Sequence, residues 1–217
     1  MKISIIGASG FVGKSLVNEA IIRELSVKAI ARNAENIPTN EKWVEKIAVN
    51  VLDTQKLTDA IKGSDVVISA YNAGWTNPNI YADFIAGSKA IEKAVTNAGI
   101  KRYIVIGGAG SLFVADNLQA VDTPDFPEQI KPGATAARDY LNSLTTNKDL
   151  DWVFFSPAFE MSPDVKTGRT TQYRLGKDQP VFDTENRSRL SVEDLAVVIF
   201  DEIEHPQHHQ ERFTAAY

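Results

Sequence analysis

The first fifteen residues constrain this chain more than any other stretch. Ile3, Ile5 and Ile6 form a short apolar run rich in β-branched side chains, the pattern of a buried strand. Gly7, Gly10 and Gly13 follow at once, and an amphipathic helical pattern opens near Gly10. In a strand–turn–helix of this kind the first glycine permits the tight turn. The second lets the backbone approach a pyrophosphate, and the third lets the helix pack close to the strand. The free N–H groups and positive dipole end of the helix then face the phosphates. Gly7, Ala8, Ser9, Gly10, Phe11 and Val12 are therefore the expected dinucleotide-binding loop. Lys14-Ser15 does not complete a nucleoside-triphosphate loop, because that motif needs four residues between its glycines and Gly10 and Gly13 are closer.

Downstream, strands and helices alternate. Strands are expected at 27–31, 44–49, 65–70, 102–106 and 152–156, with a last short one at 211–217. The first helix is expected over 10–24, facing the sheet through Val12, Leu16, Val17, Ala20 and Ile21. Asp53 reads as the N-cap of a short helix closed by Gly63. Asn77-Pro78 reads as the start of a long helix ending at Gly99, and another helix is expected over 134–146. The stretch 116–132 reads as a polar, proline-containing loop, and 167–182 as short strands and turns over one end of the sheet. Ser191-Val192-Glu193-Asp194 opens the last helix. The pattern implies an α/β fold, a Rossmann-like, doubly wound parallel sheet in a single domain spanning 1–217.

A chain of 217 residues is long enough for one such domain to bury roughly 70% of its unfolded surface. The net charge of −5 argues against nucleic-acid or membrane-surface partners. With no cysteine, disulfides, thiolate metal sites and cysteine nucleophiles are excluded. Met1 leads straight into the first strand and no apolar run reaches the ~18 residues of a membrane span. A cytoplasmic protein is expected.

In its glycine loop the chain resembles the short-chain dehydrogenase/reductase superfamily. More narrowly, it is similar to the atypical single-domain NAD(P)H-binding members related to biliverdin-IXβ and flavin reductases. Arg32, in Ala31-Arg32-Asn33 after the second strand, stands where an NAD site wants a carboxylate for the ribose 2′-hydroxyl. A guanidinium suits a 2′-phosphate instead, which points to NADPH over NADH, with a contact from Ser9. Asn50-Val51 would lie beside the adenine, Asn50 replacing the superfamily's usual Asp. Ala70, Tyr71, Asn72, Gly107 and Gly108 follow strands four and five and should line the nicotinamide side.

The departures matter as much. Superfamily enzymes place a Ser or Thr after the fifth strand and a Tyr-x-x-x-Lys pair on the next helix. Glycines hold the first position here, leaving Ser111 as the nearest hydroxyl and the candidate catalytic group. Tyr140 is followed by Leu144, not Lys. Tyr173 and Lys177 have the spacing but follow the sixth strand in a segment that reads as extended, so they are rejected as a pair. His205, His208 and His209 read as a solvated loop rather than a metal site. The resulting expectation is an NADPH-dependent reductase of flavin or a similar planar acceptor, with Tyr71, Phe113 and Phe159 as candidate walls. A non-catalytic cofactor-sensing module is the alternative and a sugar-nucleotide epimerase the weaker one. The acceptor's identity and the oligomeric state are left open.

Overall fold

The computed structural model describes residues 1–217. Ten strands and five α-helices follow one another along the chain. In order they are β1 (Lys2–Ile6), α1 (Phe11–Ile22), β2 (Ser26–Ala31), β3 (Val44–Ala48), α2 (Thr54–Ile61), β4 (Val66–Ser69) and α3 (Ile80–Asn97). Next come β5 (Arg102–Ile106), β6 (Phe113–Ala115), β7 (Leu118–Gln119), α4 (Lys131–Leu144), β8 (Asp151–Ser156), β9 (Arg174–Gly176), α5 (Val192–Glu204) and β10 (Glu211–Ala216).

Eight strands form one sheet in the order β3-β2-β1-β4-β5-β8-β10-β9. All pairings are parallel except β10 with β9 at the edge. The order reverses between β1 and β4, and this is where open α/β sheets leave a crevice at the carboxyl ends of their strands. The sheet is covered on both faces, which is why its central strands are mostly apolar, the buried Ser4 of β1 being met by the Ser64 hydroxyl at 2.8 Å. Ile3 and Ile5 point toward α1 and α5, while Ile6, Val67 and Val105 point toward α2, α3 and α4. Leu16, Val17 and Ala20 bury the inner face of α1, with Val12 and Ile21 at its margins.

Local chemistry sets the helix starts. The Asp53 carboxylate accepts from the Lys56 N–H at 3.2 Å, and the Ser191 hydroxyl accepts from the Asp194 N–H at 3.0 Å. Two starts differ from expectation. α3 begins at Ile80 rather than Pro78, because the Asn77 side chain takes the Asn79 N–H and turns the chain first. α4 begins at Lys131, three residues early, because Pro132 is tolerated in a first turn. The stretch read as loop over 116–132 contributes β7 to a two-stranded hairpin with β6. A strand of two residues carries too little periodicity to be read from sequence. No helix is long and apolar enough to cross a membrane.

The histidine segment is also corrected. His208 is not solvated: its ring stacks on Phe213 at 4.2 Å, and Nδ1 lies 2.7 Å from a buried Glu202 oxygen.

Candidate cofactor crevice and acceptor cavity

The turn after β1 is built by contacts that exclude side chains. Gly7 has φ +82°, and a Cβ on it would lie 2.5 Å from the Ala70 carbonyl oxygen. A Cβ on Gly13 would lie 2.1 Å from the Gly7 carbonyl oxygen, so Gly13 is what seats α1 against the turn. Gly10 differs: its Cβ would meet only the Gly7 oxygen, at 3.3 Å, and otherwise open space.

The N–H groups of Gly7 and Ala8 both donate to the Ile30 carbonyl, and that of Gly10 donates to Gly7. Those of Ser9, Phe11, Val12 and Gly13 have no protein acceptor, and Gly10 offers no side chain to cap the helix. A helix end with its amides unmet, beside a glycine with no Cβ, fits a pyrophosphate. Phe11 and Val12 would therefore act through their backbone. Ala8 is buried beneath the loop with its N–H already paired, which removes it from the set expected to face a ligand.

A crevice of about 180 Å³ opens beside this loop at the β1–β4 switch point. Gly7, Ser9, Gly10, Arg32, Val51, Ala70, Tyr71 and Asn72 line it together with Ile6, Ile30, Ala31 and Val49. Arg32 is exposed and makes no ion pair or side-chain hydrogen bond, so its guanidinium is available to a ligand. Asn50 is a correction. Its side-chain oxygen accepts from the Leu52 N–H at 3.1 Å, an Asx turn that leaves the crevice wall to Val49 and Val51.

A second cavity of about 490 Å³ adjoins the first, sharing Tyr71 and Asn72 with it. Its walls come from the ends of β5 and β8, the loops after them, and α4. Gly107 and Gly108 lie here rather than in the crevice. Gly107 is obligatory, since a Cβ would lie 2.0 Å from the Phe154 ring. Tyr71, Trp75, Phe84, Phe126 and Phe159 make the lining aromatic. The Tyr71 ring stacks on Phe84 with centroids 5.9 Å apart and rests on α3 at Gly87, where a Cβ would lie 2.4 Å from it. Its hydroxyl donates to the Asp83 carbonyl at 3.0 Å, and burial raises its pKa further from neutrality. Trp75 and Phe126 were missed by sequence reasoning. The available signal was an aromatic side chain in a loop that follows a strand's carboxyl end.

Two expected groups fall outside the cavity. Ser111 is 1% exposed, and its hydroxyl donates to the Gly108 carbonyl at 3.0 Å and lies 3.0 Å from the Ser156 hydroxyl. A short 3-10 turn over Ala109–Ser111 rotates it behind the wall, which withdraws it as a catalytic group. Phe113, on β6, lies under the Arg212 guanidinium instead of in the cavity.

The rejected pair is apart as expected. The Tyr173 hydroxyl donates to Asp201 at 2.6 Å, and Lys177 pairs with Glu211 at 2.5 Å. Tyr140 is fully buried, with its hydroxyl 3.3 Å from that of Tyr103, and desolvation raises its pKa well above the usual value. No group of three or more His, Asp or Glu side chains could hold a metal ion.

Residues 7–206 match the model of the NAD(P)H-binding family. The chain belongs to that family. It is 36% identical over 217 residues to "uncharacterized protein YwnB" of Bacillus subtilis, covering 99% of this chain and 97% of that one. A crystal structure from Bacteroides thetaiotaomicron, of a protein named a "putative epimerase", is 45% identical with a TM-score of 0.91, covering 100% and 96% of the two chains. Another from Streptococcus pneumoniae, named a "putative NADH-flavin reductase", is 33% identical with a TM-score of 0.85, covering 100% and 99%.

Proposed function

We propose that this protein is an NADPH-dependent reductase passing a hydride to a flavin or a similar planar acceptor. One observation carries the reading. The cavity that adjoins the cofactor crevice is aromatic and apolar, and Tyr71 and Asp125 are its only titratable side chains. Reduction of a conjugated ring suits such a site, because it needs proximity and stacking more than a protein acid or base. The likeness to the streptococcal protein, whose name gives NADH and flavin, supports the flavin acceptor; the NADPH part of the reading rests on Arg32 alone.

In this reading the amides of Phe11, Val12 and Gly13 hold the pyrophosphate, and Arg32 holds the 2′-phosphate. Tyr71 and Asn72 sit where crevice and cavity meet and set the depth of the two rings. Trp75, Phe126 and Phe159 hold the acceptor flat and exclude water. A nicotinamide bound there supplies the hydride. The hydride would carry both electrons, and the proton that completes the reduced ring would come from solvent once that ring leaves the cavity. An epimerase chemistry is disfavoured despite the likeness to the Bacteroides protein, because the sealed Tyr140 has Leu144 where a Tyr-x-x-x-Lys pair needs lysine, and no access to the cavity.

Incubating the protein with NADPH and a panel of flavins and quinones, and following loss of NADPH absorbance, tests the proposal. Turnover is expected, and Tyr173→Phe and Lys177→Ala should retain nearly all of it. Loss of a true general acid or base costs about 10²–10⁴-fold, so the outcomes are well separated. A thousandfold drop in either variant, with NADPH binding intact, would restore a Tyr–Lys mechanism. Cofactor binding with no turnover of any acceptor would favour a cofactor-sensing module.

Cofactor preference is a separate expectation. A charge-assisted hydrogen bond contributes ~1.5–3 kcal/mol, or roughly ten- to 150-fold in affinity. NADPH should bind tighter than NADH by that factor, and Arg32→Ala should remove most of the difference. Equal dissociation constants in the parent protein, measured by calorimetry, would defeat the assignment.

A further inference from the structure

We propose that the acceptor cavity selects uncharged ring systems and discriminates against phosphorylated ones, with Asp125 as the discriminating side chain. The proposal rests on the reading of this cavity as the acceptor site. Among its 23 lining residues Asp125 is the only charged one, and no Lys, Arg or His reaches the wall. Asp125 is exposed and has no ion-pair or hydrogen-bonding partner within the protein. Basic side chains next to lining residues in sequence are already paired. Arg138, beside Ala137, forks onto Asp122 at 2.9 Å and reaches Asp139 at 2.8 Å. Lys131, beside Ile130, pairs with Glu128 at 3.4 Å.

The two sites therefore carry opposite electrostatics. The crevice offers an unpaired guanidinium and a helix end with free amides. The cavity offers aromatic faces and one carboxylate. A dinucleotide's phosphates are favoured in the first and opposed in the second, which assigns each molecule to its place. A phosphate carried by the acceptor would have to enter an apolar wall, at a high desolvation cost, or stop near Asp125 with no cation to meet it. A neutral ring with a neutral polar tail meets neither penalty.

Riboflavin and FMN share one ring system and differ by a phosphate monoester, so they isolate the effect. Their dissociation constants for the NADP⁺-loaded protein can be measured by flavin fluorescence, independently of turnover. Riboflavin is expected to bind at least about tenfold tighter than FMN. Asp125→Lys replaces a negative charge by a positive one near the phosphate and should shift the FMN-to-riboflavin ratio toward FMN by roughly tenfold. Asp125→Asn should shift it by about half as much on a logarithmic scale. The shift should shrink at high salt, since the residue is exposed.

Equal or tighter binding of FMN by the parent protein, a ratio unmoved in Asp125→Lys, or binding of neither flavin would overturn the proposal. Selective binding of riboflavin without turnover would defeat the reductase reading and leave the charge selection standing. Turnover with FMN bound as well as riboflavin would do the reverse.

Discussion

Gly10→Val is expected to abolish NADPH binding while the protein stays folded. The Gly10 backbone is extended, with φ −79° and ψ 176°, a conformation that valine adopts readily. Its Cβ would meet a single backbone atom at 3.3 Å, a contact relieved by a few tenths of an ångström. The remaining methyl groups would occupy the open space beside the unmet amides of Phe11, Val12 and Gly13, which is where the pyrophosphate must lie. Displacing two charge-assisted hydrogen bonds costs about 3–6 kcal/mol, so affinity should fall by at least a hundredfold. Gly13→Val is the contrast. Its Cβ would collide with the loop backbone at 2.1 Å, so that variant should lose the fold along with the ligand. Calorimetry beside a thermal melt separates the two. Unchanged NADPH affinity in a folded Gly10→Val protein would mean that the glycine loop holds no phosphate.

The second large effect lies at the opposite end of the sheet. Glu202 on α5, almost fully buried, takes the Arg102 guanidinium of β5 at 2.5 Å. It also accepts from the Gln207 and His208 N–H groups at 3.1 and 3.0 Å. Arg102 holds Asp151 at 3.1 Å and the His208 carbonyl at 2.9 Å as well, while its buried Nε has no partner. Removing one member of a buried pair leaves an uncompensated charge. Glu202→Ala should therefore cost about 3–5 kcal/mol, a large share of the 5–15 kcal/mol that holds a typical domain together. A fall of roughly 6–20 °C in Tm is expected. Glu202→Gln keeps an acceptor for the two amides and should lose less. A loss below about 1 kcal/mol for the alanine variant would show that water repairs the site.

This cluster was invisible in the sequence, where its histidines read as a solvated loop. Arg102 on β5 lies 100 residues before Glu202 and the loop that follows α5, and only the parallel pairing of β5, β8 and β10 brings them together. The central strands, by contrast, were legible within a residue or two. Each is a short, mostly apolar run of β-branched or aromatic residues between turn residues, and that information is local. Helix starts held where the capping residue bonds to its own helix, as at Asp53 and Ser191. They slipped at Asn77, whose side chain could form either a cap or a preceding turn.

The candidate site divides along the same line. The glycine loop, Arg32 and the residues after β4 were readable because the chemistry of a dinucleotide crevice is written into one βαβ unit and its immediate neighbours. The sequence alone therefore determined the fold class and the place of the candidate crevice beside the glycine loop. The tertiary structure alone decided that Ser111 is sealed against Ser156 of β8, that Val49 and Val51 rather than Asn50 wall the crevice, and that Trp75, Phe126 and Phe159 face one cavity. Hydrogen bonds close in the chain are specified by residue type and spacing. The rotation of a hydroxyl by one short turn, or the convergence of three loops, depends on packing between segments that no local pattern encodes.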